Sequence, residues 1–355
     1  MAIGDQRDPE ATRAALTPWF ASRLPDARDV EVRNLVVPTM GFSNETLLLD
    51  LAWRDPDGAH VEPLVIRVRP KGQIFPEYDL GRQYDVMRRL AATDVPVPRM
   101  RWFEESDAVL GASFYVMDRI EGVVPPDNPP YHVAGVCTEM SPESREALWW
   151  DGLDKLARVH KLDWRALGFD YLDSRQWGRT PLEQQLNYYE HFLRWAWGER
   201  PHPTCTPALA WLREHMPANE PVGLCWGDSR IGNQMFRDDR CVAVLDWEMV
   251  WLGNPEQDLA WWLFLDWHHS AGIGVDRLAG FPSREATIAR YEELVGRRVE
   301  HLHYYEVFAA FRFAVIMIRV VALVRAAELP MPENYEVNNT CTQGLAGLLG
   351  LPPPH

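Results

Sequence analysis

Apolar and polar positions change period along this chain. A first helical stretch runs from about Pro9 to Leu24, and it is followed by "VEVRNLVVPTMGFSNETLLLDLAW", which alternates or runs apolar on either side of "TMGFSNE". That pattern predicts two strands joined by a tight turn. A further strand follows in "EPLVIRVRP" and stops at Pro70, because proline cannot donate to a sheet ladder. In "DLGRQYDVMRRLAAT" the spacing of Leu80, Tyr84, Met87 and Leu90 is helical. The two prolines of "DVPVPRM" end that helix, and "SFYVMDRIEG" reads as a strand that turns at Gly122.

After the proline-rich break "GVVPPDNPPY" the period becomes mainly helical, in "SREALWWDGLDKLARVHKL", "PLEQQLNYYEHFLRWAWG" and "VFAAFRFAVIMIRVVALV". A small sheet-forming insert, "NQMFRDDRCVAVLDWEMVWLG", interrupts the helices, and there is no internal repeat. The expected class is α+β. The expected layout is a β-rich lobe over residues 1–118, a hinge at 119–124 and a helical lobe over 125–355. The longest apolar run, residues 307–324, invites a membrane reading. Arg312 and Arg319 lie seven apart on one helical face, which argues for a buried helix with one polar stripe and no membrane partner.

Composition narrows the picture. At 355 residues the chain exceeds the usual single core, so two lobes sharing a cleft are expected, and 46% hydrophobic residues suffice to bury them. A net charge of -15 argues against nucleic acid and anionic membranes, both of which are bound through a surplus of Lys and Arg. Five cysteines without CxxC spacing fit neither a zinc site nor a disulfide framework. The N-terminus carries acids and has no continuous apolar core, so no signal peptide is expected and the location is read as cytoplasmic. Oligomeric state leaves no trace in the sequence.

Candidate chemistry concentrates in "LCWGDSRIGNQMF", residues 224–236, followed by "VLDWEMV". Asp228, Asn233 five positions on, and Asp246 in an apolar strand-like run match what phosphoryl transfer needs. One carboxylate orients a hydroxyl and accepts its proton, while an amide and a second carboxylate ligate Mg²⁺ on the phosphates. The spacing of Asp228 and Asn233 is that of a kinase catalytic loop. Singly, Asp228 and Asn233 read as a turn that satisfies its own backbone, and Asp246 as a buried strand carboxylate. Their joint order favours catalysis. A serine hydrolase is disfavoured, since no G-x-S-x-G elbow occurs.

"WGDSRIGN", "VLDWE" and "GNPEQDLAWW" together resemble the aminoglycoside-phosphotransferase and choline-kinase-like family, whose core is the protein-kinase-like fold. The branch most similar includes the kinase-like domains associated with acyl-CoA dehydrogenases. The resemblance covers nearly the whole chain: "MGFSNETLLL" as nucleotide loop, "LVIRVRP" as phosphate-contacting strand, "VPVPRM" before the hinge strand, "YVMDRIEG" as hinge and "LARVHKLDW" as the helix before the catalytic loop. It implies an ATP- and Mg²⁺-dependent phosphotransferase acting on a hydroxyl of a small molecule. Asp228 is then the catalytic residue of loop 226–233, with Asn233 and Asp246 (strand 242–248) as metal ligands. Ser43, Asn44 and Arg67 would face the phosphates, and Met117, Asp118, Arg119 and Ile120 the adenine.

Three positions depart from the pattern. Trp226 stands where the loop usually has His, Arg67 where a protein kinase has its strand Lys, and Gln83 where the pairing Glu would sit. They keep open an alternative, a nucleotide-binding chain without efficient turnover. Arg69, on the same face of the strand, is a second candidate for the phosphates. The histidine pairs 268/269 and 301/303 lack metal-site spacing, and His160 reads as a core hydrogen-bonding residue. Trp247, Trp251, Trp261, Trp262 and Trp267 crowd the stretch after Asp246 and are mainly expected in the core. Glu248, Trp262 and Asp266 are candidate acceptor contacts. With so few acids among so many aromatics, the expected acceptor is a hydroxylated, partly apolar metabolite and not an aminoglycoside.

Overall fold

The computed structural model describes residues 7–37 and 45–355. They form two compact units, one of residues up to 91 together with 98–120, the other of 92–97 together with 121–355.

The first unit is a five-stranded antiparallel sheet with one helix before its first strand and one between its third and fourth. Helix α1 (Pro9–Arg23) starts where Asp8 accepts a hydrogen bond from Glu10 N and a proline occupies the first turn. It lays Leu16, Trp19 and Phe20 onto the sheet. Strands β1 (Arg28–Val36), β2 (Glu45–Asp55) and β3 (Gly58–Val68) form a meander. On β2 the alternating Leu47, Leu49 and Leu51 face the core, as the two-residue period requires. Helix α2 (Leu80–Leu90) follows, then β4 (Met100–Glu104) and β5 (Phe114–Asp118), giving the order β1-β2-β3-β5-β4. Sequence reading passed over β4. Every one of its residues is half-buried, so this edge strand shows neither alternation nor an apolar run.

The second unit contains α3 (Val136–Glu139), α4 (Pro142–His160), α5 (Pro181–Trp197), α6 (Cys205–Glu214), β6 (Gly223–Cys225), β7 (Gln234–Arg237) and β8 (Arg240–Val244). It continues with β9 (Trp251–Gly253), α7 (Glu256–His268), α8 (Arg284–Val295), α9 (Leu302–Ala326) and α10 (Thr340–Leu349). The sheet-forming insert resolves into a β7–β8 hairpin, with β9 paired separately to β6. Asp238 and Asp239, both with positive φ, make the two-residue turn, a conformation suited to the twist of the flanking strands. Helix α9 has the length and apolar composition of a membrane span, yet 67% of its most apolar window is buried in the protein. It packs against α5, α6, α7 and α10 with Arg312 inside, as expected of a core helix with a polar stripe.

Candidate active site

The β7–β8 hairpin explains how residues 13 apart in sequence meet. Gln234 pairs with Val244, and beyond that pair Leu245 N donates to Asn233 O at 2.9 Å. Asn233 and Asp246 therefore emerge at the same open end of the hairpin. Asp246, expected within a strand over 242–248, lies two residues past the end of β8, where it adopts φ 57°, a left-handed conformation that Asp tolerates better than most residues and that ends the strand. The loop before the hairpin contributes Asp228, whose Oδ2 accepts from Asn233 Nδ2 at 2.7 Å. The same Nδ2 donates to Asp228 O at 3.0 Å. On the other carboxylate oxygen, Oδ1, Asp228 accepts from Trp261 Nε1 at 2.7 Å and Arg230 Nε at 3.0 Å. Burial pushes the pKa of Asp228 up, but the Arg230 charge and the N–H donors from Arg230, Trp261 and Asn233 outweigh it. The carboxyl stays below its ordinary value and ionised.

Backbone position in the loop is set from α7. Asp258 accepts from Trp226 N at 2.6 Å through Oδ2 and from Gly227 N at 3.0 Å through Oδ1, while His160 Nε2 lies 3.0 Å from Oδ2. Ser229 Oγ donates to Asp258 O at 2.7 Å. Gly227, at φ 94°, leaves no room for a side chain: a Cβ there would stand 2.0 Å from Met249 O. From α9 the buried Arg312 donates Nη2 to Gly227 O at 2.9 Å, its guanidinium 4.6 Å from the centre of the Trp261 ring.

Trp226, the departure at the usual His position, is fully buried and donates its indole N–H to Leu245 O at 2.8 Å and to Asp246 O at 3.1 Å. The indole thus ties the loop to the backbone that carries Asp246. Cys225, next to it, accepts from Gln257 Nε2 and is pushed well above the ordinary thiol range by burial. It is no nucleophile.

Among the remaining predicted residues, Arg67 lies on β3 in the first unit, its Nη1 donating to Thr46 Oγ1 at 3.2 Å. Gln83, buried on α2, donates to Tyr78 OH. Met117 and Asp118 end β5. Asp118 N donates to Arg99 O and Arg119 N to Pro63 O, while the Asp118 and Arg119 side chains pair with Arg101 and Asp50. Ile120 follows directly. Ser43 and Asn44 lie outside the described residues.

The candidate acceptor contacts scatter. Trp262 is buried, edge-on to Trp149 with ring centroids 5.1 Å apart. Asp266 is held by Tyr131 OH at 2.8 Å, His132 Nε2 at 3.1 Å and Arg277 Nε at 2.6 Å. It also lines a cavity of about 830 Å³ with Leu263, Trp267, Gly344 and Gly347. At about 100° per residue around α7, that side lies opposite Trp261 and hence away from Asp228. Glu248 is half-buried just after Asp246. Sequence reading missed the contacts of Trp261 and Arg312 with the loop. Trp261 carried a faint signal, one turn after Asp258 on the same helix, and Arg312, 84 residues from Asp228, carried none.

The model of the phosphotransferase enzyme family matches residues 36–294. Mouse acyl-CoA dehydrogenase family member 10 is 28% identical over 296 residues, 78% of this chain and 25% of that protein. The chain spans between 24% and 31% of the length of such curated relatives. A Ralstonia eutropha structure named for the aminoglycoside phosphotransferases is 25% identical with a TM-score of 0.67, covering 94% of this chain and 95% of its own. Choline kinase LicA from Streptococcus pneumoniae, 14% identical, shares the fold with a TM-score of 0.54 over 95% of this chain and 99% of its own.

Proposed function

The chain belongs to the phosphotransferase enzyme family, with its protein-kinase-like fold, and from that premise we propose that it transfers the γ-phosphoryl group of ATP to a hydroxyl of a small molecule. The observation that carries this reading is the meeting of Asp228, Asn233 and the Asp246 backbone around one hairpin end.

The donor set suits Mg²⁺. Among the described residues no group of three or more His, Cys, Asp or Glu is arranged to hold a metal ion. An amide and one carboxylate are nevertheless what Mg²⁺ takes from a protein when substrate phosphates supply further oxygens. Asn233 commits its Nδ2 to Asp228, so its Oδ1 would be the ligand atom, and Asp246 would supply the carboxylate. When bound, Mg²⁺ neutralises and aligns the phosphates. Asp228 orients the acceptor hydroxyl and takes its proton as the oxygen bonds to the γ-phosphorus and the bond to the β–γ bridging oxygen breaks, releasing ADP. Arg67, in fork geometry, would bind phosphate oxygens. Ser43 and Asn44 would cover the phosphates, and Met117 to Ile120 would offer backbone groups to adenine. The indole bonds of Trp226 provide the backbone support expected of the usual His, which speaks against nucleotide binding without turnover.

The acceptor is a hydroxylated, partly apolar metabolite. Aminoglycosides need several carboxylates around the reacting hydroxyl, yet Glu256 is tied to Glu300 N and His301 N, Asp258 to the loop, and Asp266 to Tyr131, His132 and Arg277. Three of the carboxylates on this stretch are thus committed within the protein, and few acids remain to surround a polycation. Purified protein with Mg²⁺ and ATP should phosphorylate a member of a metabolite mixture, read as a mass gain of one phosphate, and lose this in Asp228→Ala. No transfer and no ATP hydrolysis beyond that variant would sink the phosphotransfer reading. A kcat/KM of about 10⁴ M⁻¹s⁻¹ or more for any aminoglycoside would sink the acceptor class.

A further inference from the structure

Two residues after Asp228, Arg230 is clamped between carboxylates, its Nε donating to Asp228 Oδ1 at 3.0 Å and its Nη1 paired with Asp127 Oδ2. Asp127 sits on a segment pinned on both sides. Before it, Val123 exchanges two backbone hydrogen bonds of 2.8 Å with Phe236 of β7. After it, Tyr131 and His132 hold Asp266 of α7. Gly232 belongs to the same device, since a Cβ there would stand 2.6 Å from both Arg230 Nη1 and Asp127 Oδ1. His269 Nε2 lies 3.9 Å from Asp127 Oδ1. Burial, then the Arg230 charge, holds its pKa down to about 4, so at neutral pH it brings no charge to compete with Arg230.

Counting lone pairs shows what the clamp does. Each carboxylate oxygen accepts about two hydrogen bonds. Oδ1 of Asp228 already receives Trp261 Nε1 and Arg230 Nε, whereas Oδ2 receives Asn233 Nδ2. We propose that Arg230, braced by Asp127, is a positioning residue of the transfer reaction: with Trp261 it saturates Oδ1, so that the acceptor hydroxyl meets Asp228 at Oδ2, beside Asn233. This rests on the phosphotransfer reading above. It also gives Asp266 a place in the site, as an anchor of the segment that carries Asp127.

The test uses the full chain, Mg·ATP, and water as acceptor, so the natural acceptor need not be known. Arg230→Ala should lower kcat for ATP hydrolysis by about a hundredfold, the scale set by a misplaced reacting group, while nucleotide affinity by calorimetry stays within about twofold. Asp127→Asn should lower kcat in the same sense by about tenfold. Added guanidinium ion should restore part of the Arg230→Ala loss, and Arg230→Lys should recover less than wild type because an ammonium lacks the planar fork that places Nε on Asp228 and Nη1 on Asp127. Wild-type kcat in Arg230→Ala and Asp127→Asn overturns the proposal, as does a raised KM for ATP at unchanged kcat, which would make Arg230 a phosphate ligand. Amide hydrogen exchange across residues 226–233 without nucleotide separates the two readings. Faster exchange in both variants supports the clamp even if the wild type turns over no ATP, a result that would instead count against phosphotransfer. Unchanged exchange in both overturns the clamp whatever the turnover.

Discussion

At the scale of single residues, Asp228 and Asp246 have similar chemistry and different surroundings. Asp228 is held by N–H donors from Arg230, Trp261 and Asn233, whereas Asp246 is presented by a backbone that Trp226 grips. Asp246→Asn is therefore expected to weaken Mg·ATP binding, and Asp228→Asn to leave binding nearly intact while removing transfer. Calorimetry on the two variants checks this, and equal losses of nucleotide affinity would refute the division of roles. Trp226 offers a second probe. Phenylalanine there keeps most of the ring packing but deletes the N–H that serves Leu245 O and Asp246 O. Leaving buried carbonyls unsatisfied costs about 1 to 3 kcal/mol, so Trp226→Phe should lower the urea midpoint and raise the Mg²⁺ concentration needed for half-maximal turnover. A variant with both values unchanged would show that packing by itself fixes the strand.

At the scale of elements, the site is assembled by three parts that each supply what the others lack. The hairpin's two-residue turn and a one-residue register shift between Met235 and Phe236 together put Asn233 across from Leu245. Helix α7 supplies Asp258 for the loop amides and Trp261 for the carboxylate. Helix α9 reaches in with Arg312, buried beneath Trp261 and bonded to Gly227 O. Arg312→Met keeps comparable volume and removes both the charge and that bond. The expected cost is about 1 to 3 kcal/mol from the orphaned carbonyl, with kcat falling more than KM because the loop carrying Asp228 loses a tether. Denaturant unfolding and steady-state kinetics on one preparation read both effects. Full stability together with full activity would mean that Arg312 only fills space.

For the whole molecule, acid is expected to act through buried histidines before carboxylates. Burial, then the neighbouring His269, lowers the pKa of His268 to about 4, and burial, then Arg230, does the same for His269. In the unfolded chain both titrate near the ordinary 6.5. As pH falls from 6.5 toward 4, the unfolded state takes up protons that the folded state refuses, so stability is fully present above 6.5 and declines through that window. For His269 the limit is roughly 3 kcal/mol, at about 1.4 kcal/mol per pKa unit. The melting temperature should fall across pH 6.5 to 4, and His269→Asn should flatten the fall. An identical pH profile in that variant would locate the acid sensitivity elsewhere.

What the sequence determined by itself was whatever depends on neighbours along the chain. Alternation of Leu47, Leu49 and Leu51 shows a strand with one face inside, and the spacing within "WGDSRIGN" shows a loop able to bring Asp228 to Asn233. Arg312 and Arg319 on one face of an apolar run disclosed a core helix. Tertiary structure decided the matters that turn on partners distant in sequence. Whether Trp226 could serve at a histidine's position depended on where Leu245 O and Asp246 O come to lie. The role of Asp266 depended on Tyr131 and His132, 135 and 134 residues before it, and on Arg277, 11 residues after it. A carboxylate reads the same in sequence whether it faces solvent, a ligand or a cage of donors. Only the folded chain supplies the partners that make it one of these, and only there does Asp127 meet Arg230.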